Sequence, residues 1–197
     1  MKIFDISQEV FSCEVYTGDP CPQKTTICSV NNGDLYNLTA FSMCAHNGTH
    51  IDAPYHFIND GKAVDEIPLS KTVGLCYVCE FDGVLTSDDA ENIYARAYNA
   101  NADSAKRLLI KGNATVSSDA ASVFAEKNID LIGNESQTIG SFDSPMEVHK
   151  ILLGKEVVLL EGIRLCNVPE GVYFLSAAPL SLAGADGSPC RAVLVQM

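Results

Sequence analysis

Three of the four histidines in this chain lie within one stretch of eleven residues, HNGTHIDAPYH, at positions 46–56. The even positions of that stretch hold its histidines and its aspartate, namely His46, His50, Asp52 and His56. Residues two apart share a face when the chain is extended, and Pro54 both disfavours a helix and directs the residue before it into an extended conformation. We therefore predict a strand that runs into a rigid loop and places three imidazoles and one carboxylate on one side.

This set of side chains is suited to metal chemistry. Two imidazoles and one carboxylate on a common face can form the ligand set of Zn²⁺, Mn²⁺ or Fe²⁺. Gly48 would leave room beside these ligands for substrate or backbone. His56, one step beyond, need not bind the metal and could carry protons to and from a metal-activated water and a leaving group. The alternative is a polar loop in which the histidines satisfy buried backbone groups.

Two further residues could take part in the same chemistry. His149 lies in the segment MEVHKILL, where its helical neighbours Met146, Leu152 and Leu153 are apolar, so it is predicted to face inward. Glu161 ends the apolar segment VVLLE, where a carboxylate is desolvated unless it has a partner such as a metal. Each residue has a structural alternative: a core histidine bonded to a carbonyl, and a strand end that emerges into water.

The segments that must position these residues alternate between helix and strand. Polar or acidic starts predict helices in SDDAENIYARAYNA, capped by Ser87, in SSDAASVFAEKN and in SPMEVHKILLGKE. In the last of these, Ser144 is the expected cap, Pro145 the first residue and Gly154 the end. Apolar runs between the helices predict strands, and NNGD predicts a hairpin in the first 45 residues. These elements indicate a single mixed α/β domain over residues 1–197.

The chain has eight cysteines, which are Cys13, Cys21, Cys28, Cys44, Cys76, Cys79, Cys166 and Cys190. Without an export signal, and with apolar neighbours as in VGLCYVCEF, they are predicted to be buried free thiols. Cys76 and Cys79 form a CxxC motif, but this segment is predicted to be a strand, in which residues three apart point to opposite faces. A thiol-based redox protein that uses this pair is the alternative.

Charge and targeting signals narrow the classes of partner. The formal net charge is −12, from 13 basic and 25 acidic residues, which disfavours nucleic acid and anionic membranes as partners. The start, MKIFDISQEV, lacks the basic flank and apolar stretch of a signal peptide, and no apolar run approaches the ~20 residues of a membrane span. A cytoplasmic protein that acts on a small molecule is expected.

The histidine-rich stretch also resembles a known family signature. HNGTHIDAPYHF resembles the HxGTHxDxPxHF motif of the cyclase-like metal-dependent hydrolases, which include bacterial arylformamidase (kynurenine formamidase) and isatin hydrolase. The segments YTGDP, DSPMEVHKILLGKEVVLLEGI and LAGADGSPCRAVL resemble further parts of the family, so the likeness covers essentially the whole chain. The resemblance implies a swivelling β/β/α fold, assembled as a homodimer or a larger homo-oligomer.

The resemblance also implies roles for individual residues. His46, His50 and Asp52 would bind one Zn²⁺ or Mn²⁺, and Asp52 would bridge to a second ion, completed by His149 and Glu161, where two are bound per chain. The implied activity is hydrolysis of an amide, formamide or cyclic amide by metal-activated water, with His56 as the acid/base. The alternative is a non-catalytic protein of the same fold that binds a metal or a small molecule.

The departures from the family pattern concern the substrate pocket. The family's formamidases carry a tryptophan near the N-terminus that packs on the aromatic substrate, whereas this chain has no tryptophan. Tyr16 occupies the corresponding place and could stack on a flat substrate, and Thr17 replaces the usual proline. The segment GNESQTIG, residues 133–140, also departs from the family wording, so a pocket of altered shape is expected.

Overall fold

A computed structural model of the chain describes residues 1–142 and 145–196. Its strands are β1 (Lys2–Asp5), β2 (Gln23–Cys28), β3 (Leu38–Ser42), β4 (His50–Asp52), β5 (Val73–Glu80), β6 (Gly83–Leu85), β7 (Arg107–Lys111), β8 (Ala114–Val116), β9 (Leu131–Asn134), β10 (Val158–Glu161), β11 (Gly171–Ser176), β12 (Gly187–Pro189) and β13 (Val193–Gln196). Its α-helices are α1 (Leu69–Thr72), α2 (Ser87–Ala100), α3 (Ser118–Glu126) and α4 (Met146–Leu153).

One large mixed sheet organises the described residues. Its nine strands have the order β1-β13-β11-β5-β7-β9-β10-β4-β12. The central strands β5, β7, β9 and β10 run parallel, and the pairs on either side of them are antiparallel. Parallel neighbours need long crossovers, and α2, α3 and α4 supply them. The predicted mixed α/β fold is confirmed.

The central strands are buried on both faces, between two apolar cores. Along β5, Cys76 and Val78 belong to one core, and Tyr77 and Cys79 belong to the other, which also contains the apolar faces of α2, α3 and α4. Successive side chains of a strand point to opposite faces, which explains this alternation. The prediction that Cys76 and Cys79 point apart is confirmed, so the CxxC motif cannot act as one paired site.

Two smaller elements stand outside the large sheet. The hairpin predicted from NNGD is confirmed: β2 and β3 pair antiparallel and are joined by a short 3₁₀ turn at Val30–Asn32. This two-stranded ribbon is almost wholly exposed. Strands β6 and β8 form a short parallel pair. No helix in the described part of the chain is long and apolar enough to cross a membrane.

The starts of two helices differ from the prediction. Helix α4 begins at Met146, so Pro145 is its cap residue rather than its first residue. Helix α2 is capped by Thr86 rather than by Ser87, because Thr86 is extended and exchanges hydrogen bonds with Asp89 in a capping box. Ser117 caps α3. The predicted cap of α4, Ser144, lies outside the described residues.

All eight cysteines are free, as predicted, but the predicted burial is wrong for most of them: only Cys76 and Cys79 are buried, and Cys21 and Cys166 are exposed. Burial raises the pKa of the Cys76 and Cys79 thiols to about 12 in each case. A thiol with so high a pKa carries almost no thiolate near neutral pH, which opposes the redox alternative.

We expect iodoacetamide at pH 8 to label the exposed thiols Cys21 and Cys166 in the folded protein, and Cys76 and Cys79 only after unfolding. Because the thiolate is the reactive form, any labelling of the buried pair should increase as the pH rises toward the raised pKa. Peptide mass spectrometry after timed alkylation measures both rates. Fast labelling of Cys76 or Cys79 in the native protein would restore the redox alternative.

Candidate metal centre

The core of the candidate site is formed by two neighbouring strands. Strands β4 and β10 pair antiparallel, with Glu161 directly opposite His50. Asp52 lies two residues beyond His50, so all three side chains share one face of the sheet. That face is the one that α4 covers, and the three residues are 1–2% exposed. The short strand therefore places one imidazole and two carboxylates in a buried space.

Helix α4 adds His149 to this space. The residue is buried, as predicted, and its Nε2 lies 3.3 Å from Oε1 of Glu161 and 3.6 Å from Oδ2 of Asp52. On the other side, Nε2 of His50 lies 3.3 Å from Oδ1 of Asp52 and 3.5 Å from Oε2 of Glu161. Each carboxylate thus faces both imidazoles.

Backbone groups orient these side chains. The Nδ1–H of His50 donates to the carbonyl of Gly48 at 2.9 Å, and that of His149 donates to the carbonyl of Pro145 at 2.8 Å. Both rings therefore present Nε2 to the carboxylates. The amide of Ile139 donates to Oε1 of Glu161 at 2.7 Å and holds that side chain in place. Hydrogen bonding of the remote ring nitrogen is the usual support of a metal-binding histidine.

The spacing of these donors fits a metal ion. Donors about 2.0–2.1 Å from a tetrahedral zinc ion lie about 3.3 Å from one another. The nitrogens of His50 and His149 lie 3.3–3.6 Å from the carboxylate oxygens, and that of His46 is closer, at 2.8 Å from Asp52. Two triads, one of His46, His50 and Asp52 and one of Asp52, His149 and Glu161, each offer ligand atoms within 4.8 Å of one another. The donor set is nitrogen and oxygen only, which suits zinc and manganese equally.

The electrostatics of the cluster also favour a cation. Burial acts to lower the pKa of His50, but hydrogen bonds to Asp52 and Glu161 raise it to about 10. Burial also acts to lower the pKa of His149, but its contacts with Glu161 and Asp52 raise it to about 9. Although burial acts to raise it, the pKa of Asp52 is held well below its usual range by His46 and His50. Protons on the imidazoles therefore balance the carboxylates, and a divalent cation can replace those protons.

His46 joins the cluster from a turn rather than from the strand. The predicted extended segment is limited to His50–Asp52, because Gly48 has a positive φ of 64° and turns the chain. Nδ1 of His46 nevertheless lies 2.8 Å from Oδ1 of Asp52. The expected role of Gly48 is corrected too: the space beside it is filled by Cys13, whose Cβ would lie 2.8 Å from an added methyl group.

His56 also lies outside the extended segment, in a short 3₁₀ helix at Pro54–His56. It nevertheless reaches the cluster, because its ring stacks on that of His46 with centroids 4.0 Å apart. Burial lowers the pKa of His56, against the opposing effect of the Asp52 charge. A histidine with a lowered pKa is neutral at pH 7 and can accept a proton.

One residue of the site is absent from the set predicted from the sequence. Asp186 precedes β12, and its Oδ2 lies 2.9 Å from Nε2 of His46 and 3.2 Å from Nδ1 of His56. Its segment, LAGADGSPC, carries part of the family resemblance, but nothing in its spacing connects Asp186 to the histidines. That connection depends on the pairing of β12 with β4, in which Gly187 lies opposite Asp52.

The cluster opens on a cavity of about 400 Å³. Tyr16 lies in its wall, and its ring stacks on Phe142 with centroids 5.9 Å apart. The segment that departs from the family pattern contributes Gln137 and Thr138 to the same wall. The cavity is large enough for a small aromatic molecule.

Comparison with known proteins identifies the family. The Cyclase family model matches residues 4–140, which is more than half of the chain. The chain belongs to the Cyclase family. Its sequence is 33% identical to the kynurenine formamidase of Salinibacter ruber over 210 aligned residues, which cover 98% of this chain and 97% of that protein. The predicted resemblance to the cyclase-like hydrolases is thereby confirmed.

Solved structures of other proteins share the fold of this Cyclase family member. A predicted metal-dependent hydrolase from Bacillus stearothermophilus superposes with a TM-score of 0.80 at 32% identity and covers 98% of this chain and 97% of its own. Isatin hydrolase A from Labrenzia aggregata superposes with a TM-score of 0.82 over 100% of this chain and 94% of its own. Its sequence identity is 21%, so this second likeness concerns the fold alone.

Gly187 provides a test of how the site is packed. A methyl group added there would lie 2.6 Å from Cε1 of His46 and 2.9 Å from the carbonyl oxygen of Ile51. We expect Gly187→Ala to displace the His46 ring, to destabilise the fold by ~1–3 kcal/mol and to weaken zinc binding. Denaturant unfolding and zinc titration measure the two effects. Ser181→Ala, at an exposed position of the same segment, is the control, and wild-type zinc binding by Gly187→Ala would contradict the packing argument.

Proposed function

We propose that this member of the Cyclase family is a metal-dependent hydrolase that cleaves a small formamide, amide or cyclic amide. The chain belongs to the Cyclase family and is 33% identical to a kynurenine formamidase over almost the full length of both chains. These relationships indicate an enzyme that acts on C–N bonds other than peptide bonds. The observation that carries the metal-dependent mechanism is the buried cluster of His50, Asp52, His149 and Glu161 at the base of a cavity.

In this proposal, His46, His50 and Asp52 hold one Zn²⁺ or Mn²⁺, and Asp52, His149 and Glu161 hold a second ion where two are bound. This assignment of Asp52 to both ions is supported by the different partners of its two oxygens. Oδ1 faces His46 and His50, and Oδ2 faces His149. A bound ion of this kind polarises a carbonyl oxygen and lowers the pKa of a nearby water.

His56 is the proposed acid/base. Its Nδ1 faces Asp186, which leaves Nε2 to accept a proton. His56 takes the proton from the attacking water as the water oxygen bonds to the carbonyl carbon. It then returns that proton to the departing nitrogen as the C–N bond breaks. The burial that lowers its pKa keeps the ring neutral before the reaction.

Tyr16 is the proposed substrate-binding residue. Its ring already stacks on Phe142 at the cavity wall, with an angle of 14° between the two planes. An aromatic pair of this kind offers a flat apolar surface to a flat substrate. Tyr16 thereby takes the place of the tryptophan that the family's formamidases carry.

The protein is further proposed to be a homodimer or a larger homo-oligomer. Its support is the exposed ribbon of β2 and β3, which carries Ile27 and Phe41 at 55% and 58% exposure. A two-stranded ribbon alone is marginally stable in water, so a covering surface would stabilise it. A second, largely apolar cavity of about 590 Å³ lies beside Phe11 and Phe41 and offers such a surface to another copy.

Mutation of a proposed ligand and mutation of the proposed base should have different effects on metal content and activity. We expect His50→Ala to lose bound metal and activity together, because it removes a ligand. We expect His56→Ala to keep its metal and to lose ~10²–10⁴-fold in rate, because it removes only the proton carrier. Elemental analysis of protein purified without added metal gives the identity and stoichiometry of the ion, and kinetics on formanilides and isatin give the rates.

Two outcomes of this experiment would count against the proposal. Full activity of His56→Ala on a confirmed substrate would exclude the acid/base role. Stoichiometric metal without turnover of any amide would favour the non-catalytic binding protein of the same fold.

The oligomer proposal predicts that a charge on the ribbon separates the copies. We expect Phe41→Asp to reduce the molar mass measured by light scattering after size-exclusion chromatography, because it places a carboxylate in an apolar contact. Val84→Asp, at an equally exposed apolar position away from the ribbon, is the matched control and should leave the mass unchanged. A monomeric wild-type protein at micromolar concentration would contradict the proposal.

A further inference from the structure

A single carboxylate oxygen lies between two histidine rings at the mouth of the cluster. Oδ2 of Asp186 is 2.9 Å from Nε2 of His46 and 3.2 Å from Nδ1 of His56. The two rings are stacked at 4.0 Å with an angle of 27° between their planes. An ionised carboxylate can only accept hydrogen bonds, so each of these ring nitrogens must carry its proton. Nε2 of the neutral His56 ring then carries the lone pair. Nδ1 of His46 lies 2.8 Å from Oδ1 of Asp52, a second carboxylate, so it too carries a proton until a cation takes the place of that proton.

We propose that Asp186 is a positioning residue that sets the tautomer and the ring orientation of both His46 and His56. When a cation replaces the Nδ1 proton of His46, the proton on Nε2 stays with Asp186 and Nδ1 is the ligand atom. His56 keeps the Nε2 lone pair for proton transfer. The catalytic consequence and the ligand role of His46 rest on the function proposed above, whereas the tautomer of His56 does not.

The backbone holds Asp186 in register with both rings. The amide of Ala53 donates to the carbonyl of Asp186 at 2.9 Å, and Ala53 immediately precedes the turn that carries His56. The next residue, Gly187, pairs with Asp52, and its missing side chain makes room for the ring of His46. The carboxylate is therefore held by the same strand pair that holds the ligands, and its place between the rings does not depend on a loop alone.

The arrangement links the proposed ligand to the proposed base. One oxygen accepts from both rings, so a change that moves Asp186 withdraws support from both of them at once. Carboxylates that accept from a metal-binding histidine typically contribute 10–100-fold to metal affinity or activity. We expect an effect of that size at Asp186, below the effect expected for His56 itself.

The first test determines which ring nitrogen of each histidine carries the proton. The chain has only four histidines, so ¹⁵N-labelled imidazoles can be assigned by long-range ¹H–¹⁵N NMR in the zinc-loaded protein. We expect the Nδ1–H tautomer for His56 in the wild type and a shift away from it in Asp186→Ala. The same tautomer in both proteins, or Nε2–H in the wild type, would overturn the inference. No substrate is needed, so this result stands even if the proposed hydrolysis is never observed.

The second test measures how Asp186 acts. At saturating zinc, which offsets any weakening of metal affinity through His46, we expect Asp186→Ala to lower kcat by about 10–100-fold with little change in KM, and to cause no further loss when combined with His56→Ala. Additive losses in the double variant would show that Asp186 acts independently of His56 and would overturn the positioning role. A lower metal stoichiometry at saturating zinc would identify Asp186 as a ligand instead, since the triad of His46, His56 and Asp186 also lies within 4.8 Å.

A matched control separates positioning from loosening of the loop. Asp65 holds the same segment through the amide of Gly184 at 2.9 Å. Asp65→Ala removes this acceptor and loosens the segment without touching either ring, and we expect it to retain the wild-type tautomers and a kcat close to that of the wild type. If Asp65→Ala reproduced the tautomer change, the effect would belong to loop order and the inference would fail.

Discussion

The structure depends on the burial of two carboxylates side by side. Asp52 and Glu161 are 1% and 2% exposed, and each would be unstable in that place without positive charge beside it. Burial and the charge of Asp52 act to raise the pKa of Glu161, but hydrogen bonds to His149 and His50 keep it below its usual value. The requirement for compensation explains why three imidazoles surround the pair and why the site suits a divalent cation. The same charges would be a defect in an ordinary hydrophobic core.

The fold brings positive charge to these carboxylates at the point where the parallel strands of the sheet meet an antiparallel strand. The parallel strands β9 and β10 end beside β4, which runs in the opposite direction. A carboxylate at the end of β10 thus meets an imidazole at the start of β4. Helix α4, which crosses over between β9 and β10, brings His149 to the same face. The rigid elements of the sheet, rather than mobile loops, therefore position most of the ligand atoms.

Much of this arrangement could be predicted because the relevant information is local. The even spacing of His50 and Asp52 sets their common face, and the apolar neighbours of His149 predict its burial. The role of Asp186 could not be predicted, because it depends on a contact between residues 130 positions apart. The turn at His46 was missed because a positive φ at Gly48 is permitted, but not required, by a glycine. Thr86 and Ser87 are chemically equivalent caps, and only the backbone angles decide between them.

The pairing of β12 with β4 has a consequence for the order of folding. Residues 46–56 are synthesised early, yet the strand that completes their surroundings begins only at Gly187. Contacts between such distant segments form slowly, since a long loop must close first. A growing polypeptide therefore carries its histidines for most of synthesis without the carboxylate that orders two of them. In the proposed metal site, the full set of supporting contacts would form only when the last strands have joined the sheet, so binding of an ion there would report that the chain has finished folding.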